Sequence, residues 1–160
     1  MSKVLVAYFS ASKEKVTEKL AKYFADEICA DLFEIKPVDP YSEADLKWMN
    51  PLARCNKEKI ANKNVPVQGV IDDISQYDYV FIGFPIWYGA APNVINSFCL
   101  GYDWTGISVN VFATSGGSGI GKTADKLRPY VQGASEVNAE LFKNPSDMLT
   151  WAKAIGIFGN

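Results

Sequence analysis

Residues Lys3 to Phe9 (KVLVAYF) form an unbroken apolar run of β-branched and aromatic side chains, the pattern of a strand buried on both faces and so covered by helices on both sides. After Ser10-Ala11-Ser12 the period changes. Val16, Leu20, Phe24 and Ile28 recur at helical spacing among lysines and glutamates, which predicts a first helix N-capped at Ser12. Asp31 to Lys36 (DLFEIK) reads as a second strand, Tyr79 to Phe84 (YVFIGF) as a third and strongly buried one, and Val109 to Thr114 (VNVFAT) as a fourth. Pro92 to Leu100 suits a helix with Pro92 near its first turn and Val94, Ile95 and Phe98 on one face, where Cys99 reads as a small core residue. Lys122 to Val131 predicts a helix whose end Pro129 disturbs. A short strand around Ser135 to Asn138 follows, then a helix from Pro145 to Ile155 with Met148, Leu149, Ala152 and Ile155 inward. This alternation predicts an α/β domain with a parallel sheet.

Pro37 to Gly69 breaks the alternation, being polar, marked by Pro37, Pro40, Pro51 and Pro66, and without sustained helical period beyond Ser42 to Met49. Such a stretch is long for a loop and reads as a covering segment or a functional lid, with Trp48 and Arg54 as residues able to close over a ligand. The 160 residues leave room for one domain spanning 1–160, and 48% hydrophobic with 21% charged residues is ordinary globular composition. A net charge of −2 lacks the basic excess that a phosphate-backbone partner requires, so nucleic acid is not expected. The absence of histidine removes Ser–His and Cys–His nucleophile systems and the commonest zinc ligand. Cys29, Cys55 and Cys99 form no C-x-x-C pair, so neither a disulfide framework nor a metal knuckle is indicated, and a reducing cytoplasm fits. No apolar run approaches the roughly 18 residues of a membrane span, so a soluble protein is expected.

In an open parallel sheet, ligands bind beyond the carboxyl ends of the strands, which directs attention to three loops. Ser10-Ala11-Ser12-Lys13 after the first strand brings two hydroxyls, a lysine and a helix N-terminus together, either as a phosphate cradle or with Ser12 as a simple helix cap. Pro85-Ile86-Trp87-Tyr88-Gly89 after the third strand sets two large aromatics between proline and glycine, suited to packing or to stacking on a planar ligand. Thr114-Ser115-Gly116-Gly117-Ser118-Gly119 after the fourth strand opens a run that, from Gly116 to Thr123, satisfies G-x-x-x-x-G-K-[ST]. A P-loop nucleotidase also needs an acidic Mg²⁺ ligand at another strand end, and strands one, three and four end in Phe9-Ser10, Phe84-Pro85 and Thr114-Ser115. The glycines then serve better as a backbone wall along a flat ligand. Together the loops describe a pocket for a phosphorylated planar cofactor, with no catalytic acid–base residue and no metal site.

VAYFSAS, DLFEIKP, PYSEADLKW, YVFIGFPIWYGAAP and VFATSGGSGIG resemble the flavodoxin family over essentially the whole chain, and within it the members with a long segment after strand two and a Trp-containing loop after strand three. The resemblance implies a flavodoxin-like three-layer sandwich: a five-stranded parallel sheet of order 2-1-3-4-5 with helices on both faces. It implies FMN, with Ser10, Ala11, Ser12 and Lys13 at the phosphate. Pro85, Ile86, Trp87, Tyr88 and Gly89 would line the isoalloxazine, and Thr114, Ser115, Gly116, Gly117 and Gly119 would wrap its edge. The phosphate loop departs from the family pattern S-x-T-G-x-T in lacking the glycine and in being about two residues shorter. There Lys13 offers a point charge to phosphate and Glu14 opposes it. The expected function is electron transfer or a small flavin oxidoreductase, with a redox partner protein or a small-molecule donor or acceptor, as a monomer or weak dimer. An NAD(P)H-dependent quinone or flavin reductase and a flavin-free binding module stand as alternatives.

Overall fold

Every residue of β1 (Val4–Tyr8) is buried, as its two-sided apolar run requires. The structure is a computed structural model that describes residues 3–10, 16–37, 67–69, 71, 73–86, 91–114, 123–142 and 145–155. β1 leads to α1 (Val16–Glu27), β2 (Asp31–Glu34), β3 (Lys36–Pro37), β4 (Val67–Gln68), β5 (Tyr79–Pro85), α2 (Asn93–Leu100), β6 (Ser108–Thr114), α3 (Thr123–Leu127), β7 (Glu136–Leu141) and α4 (Pro145–Ala154). Five strands form one parallel sheet of order β2-β1-β5-β6-β7, the arrangement expected as 2-1-3-4-5. Pro129 ends α3 as anticipated, converting its continuation to a 3₁₀ turn over Arg128–Tyr130.

Each strand alternates its side chains between two cores. One core gathers Leu5, Ala7, Val80, Ile82, Phe84, Val109 and Val111 against α2, Leu127 and Trp104. The other gathers Val4, Val6, Tyr8, Phe81 and Phe112 against α1 and against Met148 and Ala152 of α4. Phe24 of α1 is wholly buried, and its ring meets Phe81 edge-on at 4.8 Å and Phe112 at 6.1 Å. Burying one such side chain contributes about 2–3 kcal/mol. The Phe112 ring also lies over Gly83 of the neighbouring strand, where a Cβ would stand 2.2 Å from its Cζ. Gly83 is the space that ring fills.

Three boundaries differ from the sequence expectation. Val16 is 45% exposed, while Thr17, Leu20, Ala21, Phe24 and Ala25 form the buried face of α1. Residues spaced by four drift about 40° per step around a helix, so an end of such a series leaves the face its middle defines. The second strand stops at Glu34. Lys36 and Pro37 instead pair antiparallel with Gln68 and Val67, so the two ends of the 38–66 segment meet, and the Gln68 side chain donates to the Pro37 carbonyl at 3.0 Å. The fifth strand reaches Leu141, longer than read, because Glu136, Asn138 and Glu140 lie along a partly exposed sheet edge that tolerates polar side chains.

Candidate functional site

Strand order reverses between β1 and β5, since the chain moves from β1 to β2 on one side and returns to β5 on the other. The carboxyl ends of β1, β5 and β6 therefore form the rim where a ligand of such a sheet sits. Tyr8 pairs with Gly83, Gly83 with Phe112 and Pro85 with Thr114, while Phe9 N–H donates to the Gly83 carbonyl and Ile86 N–H to the Thr114 carbonyl, each at 2.8 Å. Side-chain alternation along β1 carries Ser10 to the face of Val4, Val6 and Tyr8, which is the α1 face. Ser10, Pro85 and Thr114 thus stand in one cross-strand layer at the rim, one step beyond the layer of Tyr8, Gly83 and Phe112.

Two observations give this layer chemical content. The Ser10 hydroxyl oxygen is buried and has no hydrogen-bond partner among the described residues. A buried hydroxyl left unpaired costs about 1–3 kcal/mol, so it marks a position where an added hydrogen-bond partner would be stabilising. In the same rim, Thr17 of α1 and Thr114 of β6 share a hydrogen bond of 2.8 Å between their hydroxyls, joining residues 97 apart. Thr17 stands in the first turn of α1, where backbone N–H groups lack intrahelical acceptors and the helix dipole is positive. A hydroxyl at the start of a helix is chemically suited to an anion.

The carboxylates lie one layer down. The Tyr8 hydroxyl donates toward Glu34 at 3.4 Å, and burial, with the nearby charges of Glu34 and Glu18, pushes its ionisation well above the usual phenol range. Glu18 in turn faces Lys22 at 3.7 Å. Among the described residues no group of His, Cys, Asp and Glu could hold a metal ion. Cys99 is buried and its thiol is pushed up by desolvation, consistent with a core role. The described rim can bind and orient a group but offers no proton-transfer machinery.

Of the residues expected at the site, Ser10, Pro85, Ile86 and Thr114 come together at the rim, with Ile86 packed on the α2-side core. Ala11, Ser12, Lys13, Trp87, Tyr88, Gly89, Ser115, Gly116, Gly117 and Gly119 lie outside the described residues, as do Trp48 and Arg54. Thr17 was not anticipated. Its signal was a hydroxyl on the buried face of α1, within the helix rather than in the loop before it.

A five-stranded parallel sheet whose strand order reverses at this rim defines the class: a doubly wound α/β fold. The family model described as Flavodoxin matches residues 3–154, and the chain belongs to the flavodoxin family. It is similar to a candidate flavoprotein from Bacteroides eggerthii DSM 20697, with 35% identity over 97% of this chain and 98% of that one and a TM-score of 0.87. A second, from Bacteroides uniformis ATCC 8492, shares 32% identity over 95% of this chain and 98% of its own at a TM-score of 0.86. A flavoprotein in complex with FMN from Lactobacillus acidophilus NCFM has the same fold at 23% identity and a TM-score of 0.67, covering 95% of this chain and 99% of its own. No curated protein matches the chain.

Proposed function

We propose that this chain is an FMN-binding redox protein that passes electrons to or from a partner protein or a small molecule. The observation that carries the reading is the buried Ser10 hydroxyl, without a partner among the described residues, in the rim layer of Thr114, which is paired to Thr17. A phosphate monoester supplies the acceptor oxygens that Ser10 lacks, and the start of α1 supplies the compensating positive potential. Ser10 and Thr17 would hold the phosphate, and Pro85 and Ile86 would border the ring. Bound FMN supplies one- and two-electron chemistry, while the chain supplies position and electrostatics. The absence of histidine is no obstacle to that division of labour.

No helix among the described residues is long and apolar enough to cross a membrane. The expectation of a cytoplasmic protein stays part of this reading. An absorption spectrum between about 350 and 500 nm, taken as isolated and after addition of FMN to the apoprotein, tests the assignment. Two flavin bands, or their appearance with one equivalent of FMN, are the expected result. A protein that stays colourless and leaves FMN fluorescence unchanged is a flavin-free binding module instead.

A further inference from the structure

Thr114 was expected to serve the ring through its place in the loop after β6, yet its hydroxyl faces the other way, onto Thr17. Both threonines are buried, Thr17 to 2% and Thr114 to 8% exposure. In a strand whose every residue is buried, a hydroxyl at the last position is costly unless it is used, and a valine would fill the same volume. The pair holds two hydroxyl protons and spends one between its members. When Thr114 donates, the Thr17 oxygen is satisfied as an acceptor, and its own proton is available to another acceptor. That direction of donation also polarises the Thr17 O–H and makes it a stronger donor.

We propose that Thr114 is a positioning residue for phosphate: it donates to Thr17, turns the Thr17 hydroxyl proton toward an anion beside Ser10, and so makes the protein prefer a phosphorylated flavin to its dephosphorylated form. This inference rests on the FMN reading above. Thr114 touches no phosphate in it and acts only through Thr17.

The test measures dissociation constants of the apoprotein for FMN and for riboflavin by quenching of flavin fluorescence, in the wild type, Thr114→Val, Thr114→Ser and Thr114→Cys. Thr114→Val is expected to weaken FMN about tenfold and to change riboflavin less than about twofold, because only the phosphate contact is lost. Thr114→Cys keeps the volume with a poor donor and is expected to lose the same selectivity, which covers a valine variant that folds badly. Thr114→Ser keeps the donor and is expected to recover most of the wild-type preference. A parallel readout needs no flavin: inorganic phosphate should raise the melting temperature of the wild-type apoprotein more than that of Thr114→Val. Equal weakening of FMN and riboflavin in Thr114→Val and Thr114→Cys overturns the proposal, since a merely structural hydroxyl acts on both ligands. Unchanged FMN affinity in both variants also overturns it. If the wild type binds riboflavin as well as FMN, the positioning role fails and the flavin reading survives. If it binds neither, both fall.

Discussion

Among the described residues, the two rims of this sheet carry similar polar side chains that differ in how their hydrogen bonds are met. At the amino rim, demand for hydrogen bonds is met within the chain. Lys3 N–H donates to the Asp78 carboxylate, Tyr77 donates its hydroxyl to Asp31 at 2.7 Å, and the Asp103 carboxyl is held below the usual range by donation from Thr105. Towards the same end, the wholly buried Asn110 donates to the Ser108 carbonyl and hydroxyl and accepts from Asn138 at 2.9 Å. At the carboxyl rim, Ser10 has no partner among the described residues, and Thr17 and Thr114 share one hydrogen bond between their two hydroxyls. Unmet hydrogen-bonding capacity confined to one end is what a ligand site at that end would need, and the proposed function uses it so.

The largest expected effect comes from the layer that supports the carboxyl rim. Gly83→Ala places a methyl group inside the Phe112 ring, so the ring must leave its position against Phe24, at a cost of about 3 kcal/mol in denaturant unfolding. Gly83→Ala combined with Phe112→Leu should recover much of that loss. A double variant no more stable than Gly83→Ala would show that the two residues do not share the space.

Next in size is the satisfied rim itself. Asn110→Ala removes the acceptor of the Asn138 amide and is expected to cost about 2 kcal/mol while leaving FMN affinity unchanged. Ser10→Ala should do the reverse. Removing an unpaired buried hydroxyl leaves the apoprotein as stable as before, or more stable by up to about 1 kcal/mol, and weakens FMN about tenfold. Matched unfolding curves and FMN titrations of the two variants check the contrast. A Ser10→Ala protein that loses stability and keeps FMN affinity would erase the distinction between the rims.

Legibility in the sequence followed burial. β1, β5 and β6 are covered on both faces, so their runs are mainly apolar, with Asn110 the one polar side chain inside β6. β7 lies at an edge with Glu136, Asn138 and Glu140 partly in solvent, and its polar residues hid half its length. Val16 was placed on the buried face by spacing alone, while Thr17, which holds that position, was passed over because a hydroxyl in a helix does not announce a packing role. The rim could be located from the strand ends, since topology alone decides where the loops emerge. Which way the Thr114 hydroxyl turns depends on a contact with a residue 97 positions away, and no local pattern encodes that.

A smaller effect concerns the pH range over which the amino rim stays satisfied. Burial, and then the hydrogen bond to Asp31, pushes the Tyr77 phenol from 10.0 up to about 12. A group whose ionisation is raised on folding contributes stability that is whole below the unfolded value and is lost as pH rises through the folded one. The contribution of Tyr77 is therefore intact below about pH 10 and gone near pH 12. Tyr77→Phe is expected to lose about 1 kcal/mol at neutral pH, and to lose less than the wild type between those two values. Unfolding measured across that interval checks the sign, with Tyr8, raised in the same direction, present in both proteins.

The amino rim also holds the one non-glycine residue in left-handed conformation among the described residues, Cys29, with φ of 54°. It closes α1 as a Schellman turn: Ala30 N–H donates to the Ala25 carbonyl at 2.9 Å and Cys29 N–H to Asp26 at 3.3 Å. A Cβ at this φ costs about 1–2 kcal/mol, and a glycine would relieve it while giving back part of the gain through a freer unfolded chain. Cys29→Gly is therefore expected to stabilise the protein by about 0.5–1 kcal/mol in denaturant unfolding, with FMN affinity untouched, since the turn lies at the opposite end of α1 from Thr17. The result sharpens the contrast between the rims. Strain that can be removed without functional loss belongs to the turn alone, whereas removing the Ser10 hydroxyl is expected to loosen the flavin. A Cys29→Gly variant that gains stability and loses flavin would tie the two ends of α1 together and break the comparison.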